Sequence, residues 1–259
     1  MGATFDFSKQ TVLVTGASRG IGYGIAEGFA AAGAELIVLA EDDAIHAAAD
    51  RLAHGASGSV RGIVCDISDR AAVADALSGI GRLDVLVNNA GLERATPLGD
   101  ADPAIDETFA RVLAINVAGT NNVTREMAGR IADGGRIVVT SSIWGKTAVP
   151  DFSAYIASKH ALIGLTRTWA KELGPRGITV NAVCPGWVRT EASMRSLDVM
   201  AAATGADRQA LLDEIVGGQA IGGLMEPADI AGLYLFLASD AAANITGQAI
   251  NADRGEVMV

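Results

Sequence analysis

Seven short apolar runs alternate along this chain with stretches of helical period, and that alternation restricts the fold more than any other feature. The runs, at residues 11–15, 36–40, 60–65, 85–88, 136–140, 178–184 and 249–251, are short for buried helices and too continuously apolar for strands with one wet face. They read as strands buried on both sides. Between them, residues 25–32, 44–52, 71–77, 107–131, 154–173 and 229–238 carry apolar residues at helical spacing. A strand, a crossover helix and a further strand form a right-handed unit, so the pattern implies a doubly wound parallel sheet of about seven strands with helices on both faces. No low-complexity tract or internal repeat divides residues 1–259, and a single α/β domain is expected.

The first run leads into Gly16-Ala-Ser-Arg-Gly20-Ile-Gly22 and then into a helix. Glycine lets the backbone turn tightly and approach a ligand, and the helix start offers free N–H groups at the positive end of its dipole. A pyrophosphate suits such a turn. The spacing differs from the general G-x-G-x-x-G fingerprint, and a tight strand-to-helix connection without a ligand stays open on this evidence alone.

Tyr155 and Lys159 lie one helical turn apart, with Ser141 and Ser142 upstream. Positions i and i+4 share a helix face, which would set the ammonium of Lys159 beside the phenol of Tyr155. A free tyrosine titrates near ~10, and bringing it near ~7 takes about 4 kcal/mol of preference for the phenolate. A close cation in a partly desolvated cleft supplies energy of that order. The expectation is a phenol tuned for proton transfer.

Charge and cysteine usage narrow the classes. A net charge of −10 over 259 residues argues against nucleic acid, whose phosphates need clustered Lys and Arg. No apolar run is long enough to cross a membrane. Met1 to Gln10 has no basic region followed by an apolar core and a cleavage site, so no secretion signal is read there and a cytoplasmic location is expected. Cys65 and Cys184 lie in apolar runs and read as buried thiols. His46, His54 and His160 have no ligand-like spacing, and no metal site is expected.

One segment breaks the alternation. Residues 191–225 are helical in pattern but follow no strand of their own, with Met194, Leu197, Met200, Leu211, Leu212 and Ile215 at helix-like spacing. An amphipathic helix pair inserted after the carboxyl end of a strand is placed to act as a lid over a cleft, or to pack permanently as a surface pair.

Taken together, Thr15-Gly-Ala-Ser-Arg-Gly-Ile-Gly22, Asn88-Asn-Ala-Gly91, Asn116, Ser142, Tyr155-Ile-Ala-Ser-Lys159 and Pro185-Gly186 occur in the order and approximate spacing of the short-chain dehydrogenase/reductase family, which the chain resembles over nearly its whole length. The resemblance implies an NAD(P)-dependent oxidoreductase acting on a small alcohol or ketone. Tyr155 would be the general acid/base and Lys159 would hold the nicotinamide ribose and stabilise the phenolate. Ser142, thirteen positions before Tyr155, would hydrogen-bond the reacting oxygen, and Asn116 would support Lys159 through a water relay. Ser141 is left to strand-end hydrogen bonding. The cofactor residues implied are Gly16, Ser18, Arg19, Gly20, Ile21 and Gly22 at the pyrophosphate, Asp66 and Ile67 at the adenine, and Asn89, Ala90 and Gly91 on the adenosine side. Pro185, Gly186, Val188 and Thr190 would serve the carboxamide. A homotetramer is also implied, pairing through the two long helices and through the last strand and helix.

The end of the second strand, Leu39-Ala40-Glu41-Asp42-Asp43, bears on cofactor choice. Glu41 would accept hydrogen bonds from ribose hydroxyls, and three consecutive acids would repel a 2′-phosphate, which favours NAD; Arg19 keeps NADP open. Stretches near 181–190 and 237–247 look especially like the D-3-hydroxybutyrate dehydrogenases. Those enzymes carry a histidine two places after the serine and a lysine three places before the tyrosine, where this chain has Trp144 and Phe152. Ile143, Trp144, Phe152, Trp187 and Met194 are expected to form an apolar wall, with Arg94 as the candidate cation. A cyclic or aromatic alcohol, or a sugar-derived acid held by Arg94, would suit that pocket. Still open are a hydroxy acid of the 3-hydroxybutyrate type, an NADPH-dependent ketone reductase, and a non-catalytic dinucleotide sensor or scaffold on the same fold. The sequence assigns no role to Arg254.

Overall fold

The computed structural model describes residues 5–258, so the first four residues of the segment read for a leader lie outside it. Seven strands, β1 (Thr11–Thr15), β2 (Glu35–Ala40), β3 (Val60–Val64), β4 (Leu83–Asn88), β5 (Ile131–Thr140), β6 (Thr179–Pro185) and β7 (Ala249–Ala252), pair in parallel in the order β3-β2-β1-β4-β5-β6-β7. Around them lie α1 (Gly20–Ala31), α2 (Ala44–Ala53), α3 (Arg70–Leu77), α4 (Pro103–Leu113), α5 (Thr120–Met127), α6 (Ser153–Leu173), α7 (Glu191–Thr204), α8 (Arg208–Gly217) and α9 (Pro227–Ala238). This is the Rossmann-like arrangement that the alternation implies.

Successive strand residues point to opposite faces, and both faces are covered. Val12, Val14, Val38, Val85 and Val87 meet Ile25 and Phe29 of α1, Ile45 of α2 and Tyr234 of α9. Leu13, Leu39, Leu86, Ile137 and Val139 meet Leu77 of α3, Met127 of α5 and Leu162 and Trp169 of α6. Each such aliphatic side chain contributes roughly 1.5–3 kcal/mol on full burial. The chain reaches the sheet edge at β3 and returns to lay β4 beside β1. Strand order reverses there, and a crevice opens at the carboxyl ends of β1 and β4.

The helix expected over 107–131 differs. It starts at Pro103, where the carboxylate of Asp102 accepts the Ala104 N–H at 2.9 Å, and its α geometry is interrupted by a π-helical segment, Ala114–Gly119. Helix α5 then stops at Met127, and Ile131 opens β5 opposite Leu83. An apolar Ile131 continues the helical period in sequence, but pairing with β4 claims it.

The insertion after β6 forms α7 and α8. Thr190 caps α7, its Oγ1 accepting the Ser193 N–H at 3.1 Å, and the carboxylate of Asp207 caps α8. Leu197 of α7 is fully buried, whereas α8 buries no residue completely. The two ends of the insertion meet: Arg189 N–H donates to Met225 O at 2.7 Å, and the Arg189 guanidinium holds Glu226 at 2.7 Å. Arg254, left-handed at φ 55°, ties down this insertion, donating to Gly222 O at 2.7 Å and accepting from Ile221 N–H at 3.0 Å.

Among the described residues no helix is long and apolar enough to cross a membrane. Cys65 and Cys184 are both buried free thiols.

Candidate active site

A cleft of about 500 Å³ runs across the carboxyl ends of the central strands. At one end the lining is largely backbone. Gly16 and Gly20 hold positive φ angles of 67° and 58° between β1 and α1. A Cβ on Gly16 would stand 2.6 Å from Ala90 Cα, and one on Gly22 would stand 2.1 Å from Gly16 O. Thr15 Oγ1 accepts from the N–H groups of Asn89 and Ala90, each at 3.0 Å, and Asn89 Nδ2 donates to Thr15 O at 3.1 Å and Gly16 O at 3.2 Å. The two loops are thereby locked edge to edge. No side chain caps α1, so its first N–H groups have no intrahelical acceptor. Residues Ser18, Arg19, Gly20, Ile21 and Gly22 at this helix start line the cleft, which makes it a place for an anion.

Glu41, Asp66, Ile67, Asn89, Ala90, Gly91, Pro185, Gly186, Val188 and Thr190 also line the cleft, as the sequence led us to expect. Arg19, the cation in question at the ribose end, stands 3.7 Å from Asp42. Arg111 holds Asp66 at 2.8 Å.

At the middle of the cleft, α6 presents Tyr155 and Lys159, and Ser142 follows the end of β5. The Lys159 ammonium donates to Thr140 O at 2.8 Å and lies 5.3 Å from the centre of the Tyr155 ring. Burial pulls Lys159 down to about 8, with Cys184 and Glu93 holding it up. The tuned phenol expected from sequence is not what the chain's own groups produce. Burial pushes Tyr155 well above the usual tyrosine range and the carboxyl of Glu93 adds to that, while a hydrogen bond with Ser142 acts the other way.

Asn116 does not line the cleft; its Nδ2 donates to Leu92 O and Ser158 Oγ, each at 2.9 Å, and its Oδ1 accepts from Leu92 N–H at 2.7 Å. It clamps the loop after Gly91 to α6. Ser141 donates to Lys159 O at 2.9 Å, the backbone role left to it.

The substrate end is built of side chains. Trp144 is the hub, 6.0 Å and edge-on from Tyr155, 6.1 Å from Trp187 and 5.2 Å from Phe152. Ile143, Trp144, Trp187 and Arg94 line the cleft. Phe152 and Met194 do not: Phe152 is fully buried behind Trp144, and Met194 is half-buried away from the cleft on α7. Helical spacing cannot say which side of α7 faces inward. Among the lining residues that the sequence reading passed over are two charged ones, Glu93 and Arg195. Glu93 is the residue after Leu92, which Asn116 holds, and Arg195 is four residues after Glu191, a spacing that could have flagged it. Burial raises Glu93 to about 7, against the pull of Arg195, Lys159 and Arg94. Among the described residues Arg94 pairs with no carboxylate; its Nη1 donates to Glu93 O at 2.7 Å.

A dinucleotide-type parallel sheet with a serine, a tyrosine and a lysine converging beside a glycine turn defines the class of nicotinamide-dependent oxidoreductases. Residues 16–256 match the family model described as Enoyl-(Acyl carrier protein) reductase. The chain is 36% identical over 255 residues to the D-beta-hydroxybutyrate dehydrogenase of Cupriavidus necator, covering 96% of this chain and 98% of that one. The structure of a short-chain type dehydrogenase/reductase from Mycobacterium ulcerans superposes with a TM-score of 0.85 at 32% identity, covering 97% of this chain and 91% of the other. A blue fluorescent protein from a metagenomic library, solved in complex with NADPH, gives a TM-score of 0.84 at 31% identity over 98% of this chain and 100% of the other. This chain belongs to the short-chain dehydrogenase/reductase family, whose members bind NAD(P).

Proposed function

We propose that the protein is an NAD(H)-dependent oxidoreductase that interconverts a secondary alcohol and a ketone, with Tyr155 as general acid/base. The observation that carries this reading is the convergence of Ser142, Tyr155 and Lys159 on one cleft with the uncapped start of α1. Gly16 and Gly22 leave backbone where any Cβ would collide, and the free N–H groups beside them fit a pyrophosphate. Gly16, Ser18, Arg19, Gly20, Ile21 and Gly22 would hold it, with Asp66, Ile67 and Asn89 to Gly91 along the adenosine and Pro185, Gly186, Val188 and Thr190 at the carboxamide. The cofactor supplies hydride acceptance or donation at the reacting carbon. Tyr155 gives its hydroxyl proton to the carbonyl oxygen in reduction and takes the alcohol proton in oxidation. Ser142 donates a hydrogen bond to that oxygen as charge develops on it. Lys159 stabilises the phenolate, and Asn116 supports Lys159 through a water relay.

The preference for NAD rests on this chain's own charges. Glu41 stands in the cleft as a ribose acceptor, and Asp42 beside Arg19 takes up the cation that would greet a 2′-phosphate. At the other end Ile143, Trp144 and Trp187 offer an apolar wall and Arg94 a charge, which supports a cyclic or aromatic alcohol, or a sugar-derived acid. A screen of secondary alcohols and ketones of these kinds with both cofactors, following reduced nicotinamide absorbance, tests the reading. A chain that binds dinucleotide yet turns over none of them is a sensor or scaffold instead.

The insertion at 191–225 acts as a lid in this reading. Its closed ends and loosely held α8 support movement of the tip about the base, and hydrogen exchange should slow there when cofactor and substrate bind. A cytoplasmic homotetramer completes the proposal, supported by Phe109 left exposed on α4, and a monomer by light scattering would remove the assembly.

A further inference from the structure

Glu93 is an ionisable side chain at the substrate end that the proposed reaction does not use. Its Oε1 is buried and has no hydrogen-bond partner among the described residues. Such an oxygen is costly to keep: desolvating a carboxylate without a donor destabilises the fold, and an apolar residue of similar size would avoid that cost. The loop is not free to release it. Asn116 clamps Leu92 on one side, and on the other Thr96 is tied to α6, its Oγ1 accepting Ala154 N–H at 3.0 Å and its carbonyl accepting Ser153 Oγ at 2.9 Å. Glu93 is thus held rigidly in the cleft, near enough to Tyr155 for its charge to be felt at the phenol.

The surroundings specify the missing donor. Lys159 of α6, Arg195 of α7 and Arg94 of the same loop all act on Glu93 as cations, yet none lies within ion-pair distance of it. A substrate ammonium would enter a field already positive, whereas a neutral hydroxyl brings a donor with no charge to repel.

We propose that Glu93 is a specificity-determining residue that accepts a hydrogen bond from a substrate hydroxyl next to the reacting carbon, so that the enzyme acts on vicinal diols and the matching α-hydroxy ketones. This deepens the proposed function and rests on it. A polyhydroxylated acid fits the same end, its carboxylate toward Arg94 and Arg195 and a hydroxyl toward Glu93.

The test compares matched pairs, such as cyclohexane-1,2-diol with cyclohexanol and 2-hydroxycyclohexanone with cyclohexanone, in the native chain, Glu93→Gln and Glu93→Leu. The native enzyme should favour the hydroxylated member in kcat/KM by at least about tenfold, the factor expected of a hydrogen bond to a charged acceptor. Glu93→Leu should abolish that preference by lowering kcat/KM for the hydroxylated member at least about tenfold more than for the plain alcohol, whatever common change follows from removing a charge near Tyr155, and Glu93→Gln, which keeps an acceptor oxygen, should retain part of the preference. A merely structural role predicts equal losses on both members and a lower Tm, and that result overturns the proposal. Native turnover without a preference for the hydroxylated member also overturns it while leaving the oxidoreductase reading intact. Absence of turnover on every pair with dinucleotide still bound removes both.

Discussion

At the dinucleotide end of the cleft the chain presents backbone, and at the substrate end it presents side chains. Gly16, Gly20 and Gly22 are fixed there by φ angles and by collisions that any Cβ would cause, so the shape tolerates one residue type at each place. Trp144 follows β5, Trp187 follows β6, Arg94 lies in the loop after β4 and Arg195 on α7, so these side chains meet only in the folded chain. A backbone site constrains sequence locally and reads one shared chemical group. A side-chain site lets substrate preference drift while the rest of the machinery stands still.

The largest test of this contrast lies between the two ends. Tyr155→Phe should lower turnover at least about a hundredfold while dinucleotide affinity, measured by fluorescence titration, stays within about threefold. Because Tyr155 is pushed up, alcohol oxidation should climb from pH 6 to 8 without levelling, as phenolate becomes more populated. A plateau in that range would restore a phenol tuned near neutrality.

Gly22→Ala attacks the backbone end. Its Cβ would press within 2.1 Å of Gly16 O, so NADH binding should weaken by at least about tenfold. Unchanged titration and an unchanged Tm would mean that the turn can open.

Glu41→Ala should narrow the preference for NADH over NADPH by about tenfold, by deleting a ribose acceptor and a like charge. A native chain that already prefers NADPH would place Arg19 above Glu41.

The smallest effect belongs to stability. Glu93 is raised from 4.5 to about 7, so between those values the folded chain holds a proton that the unfolded chain releases, and stability falls as pH rises through that window. Glu93→Gln should therefore raise Tm by a few degrees at pH 8 and hardly at all at pH 5. An equal shift at both values would show that the carboxyl is not displaced.

The same contrast explains what was legible in the sequence. Strand runs, glycine spacing and the Tyr155–Lys159 interval are local patterns, and each of the seven expected runs overlaps a strand, while the residues that the family resemblance assigned to the cofactor line the cleft. Phe152, Met194, Glu93 and Arg195 depended on which face of a segment turns inward, and that is decided by tertiary packing. The length of β5 was missed because Ile131 satisfies a helical period and a strand pairing equally well. For Tyr155 the sequence showed the neighbouring cation of Lys159 but not the burial that pushes the phenol up, which is a property of the packed cleft.

The π-helical segment at Ala114–Gly119 carries a consequence for the angular phase of the molecule. Upstream of it, Arg111 grips Asp66 and Ser68; downstream, Asn122 donates to Ile67 O at 3.1 Å, and Asn116 within it faces Leu92. Such a segment holds one residue more than the α-helical turn it replaces, and each residue of an α-helix rotates the face by about 100°. Loss of a single residue there would leave both halves helical and equally apolar, yet turn one against the other like a clutch slipped by one tooth. Arg111 and Asn122 could then no longer hold the same loop, and Asn116 would swing off the loop at Leu92 that it fastens. In this stretch the count of residues, as much as their identity, sets the alignment of the cleft.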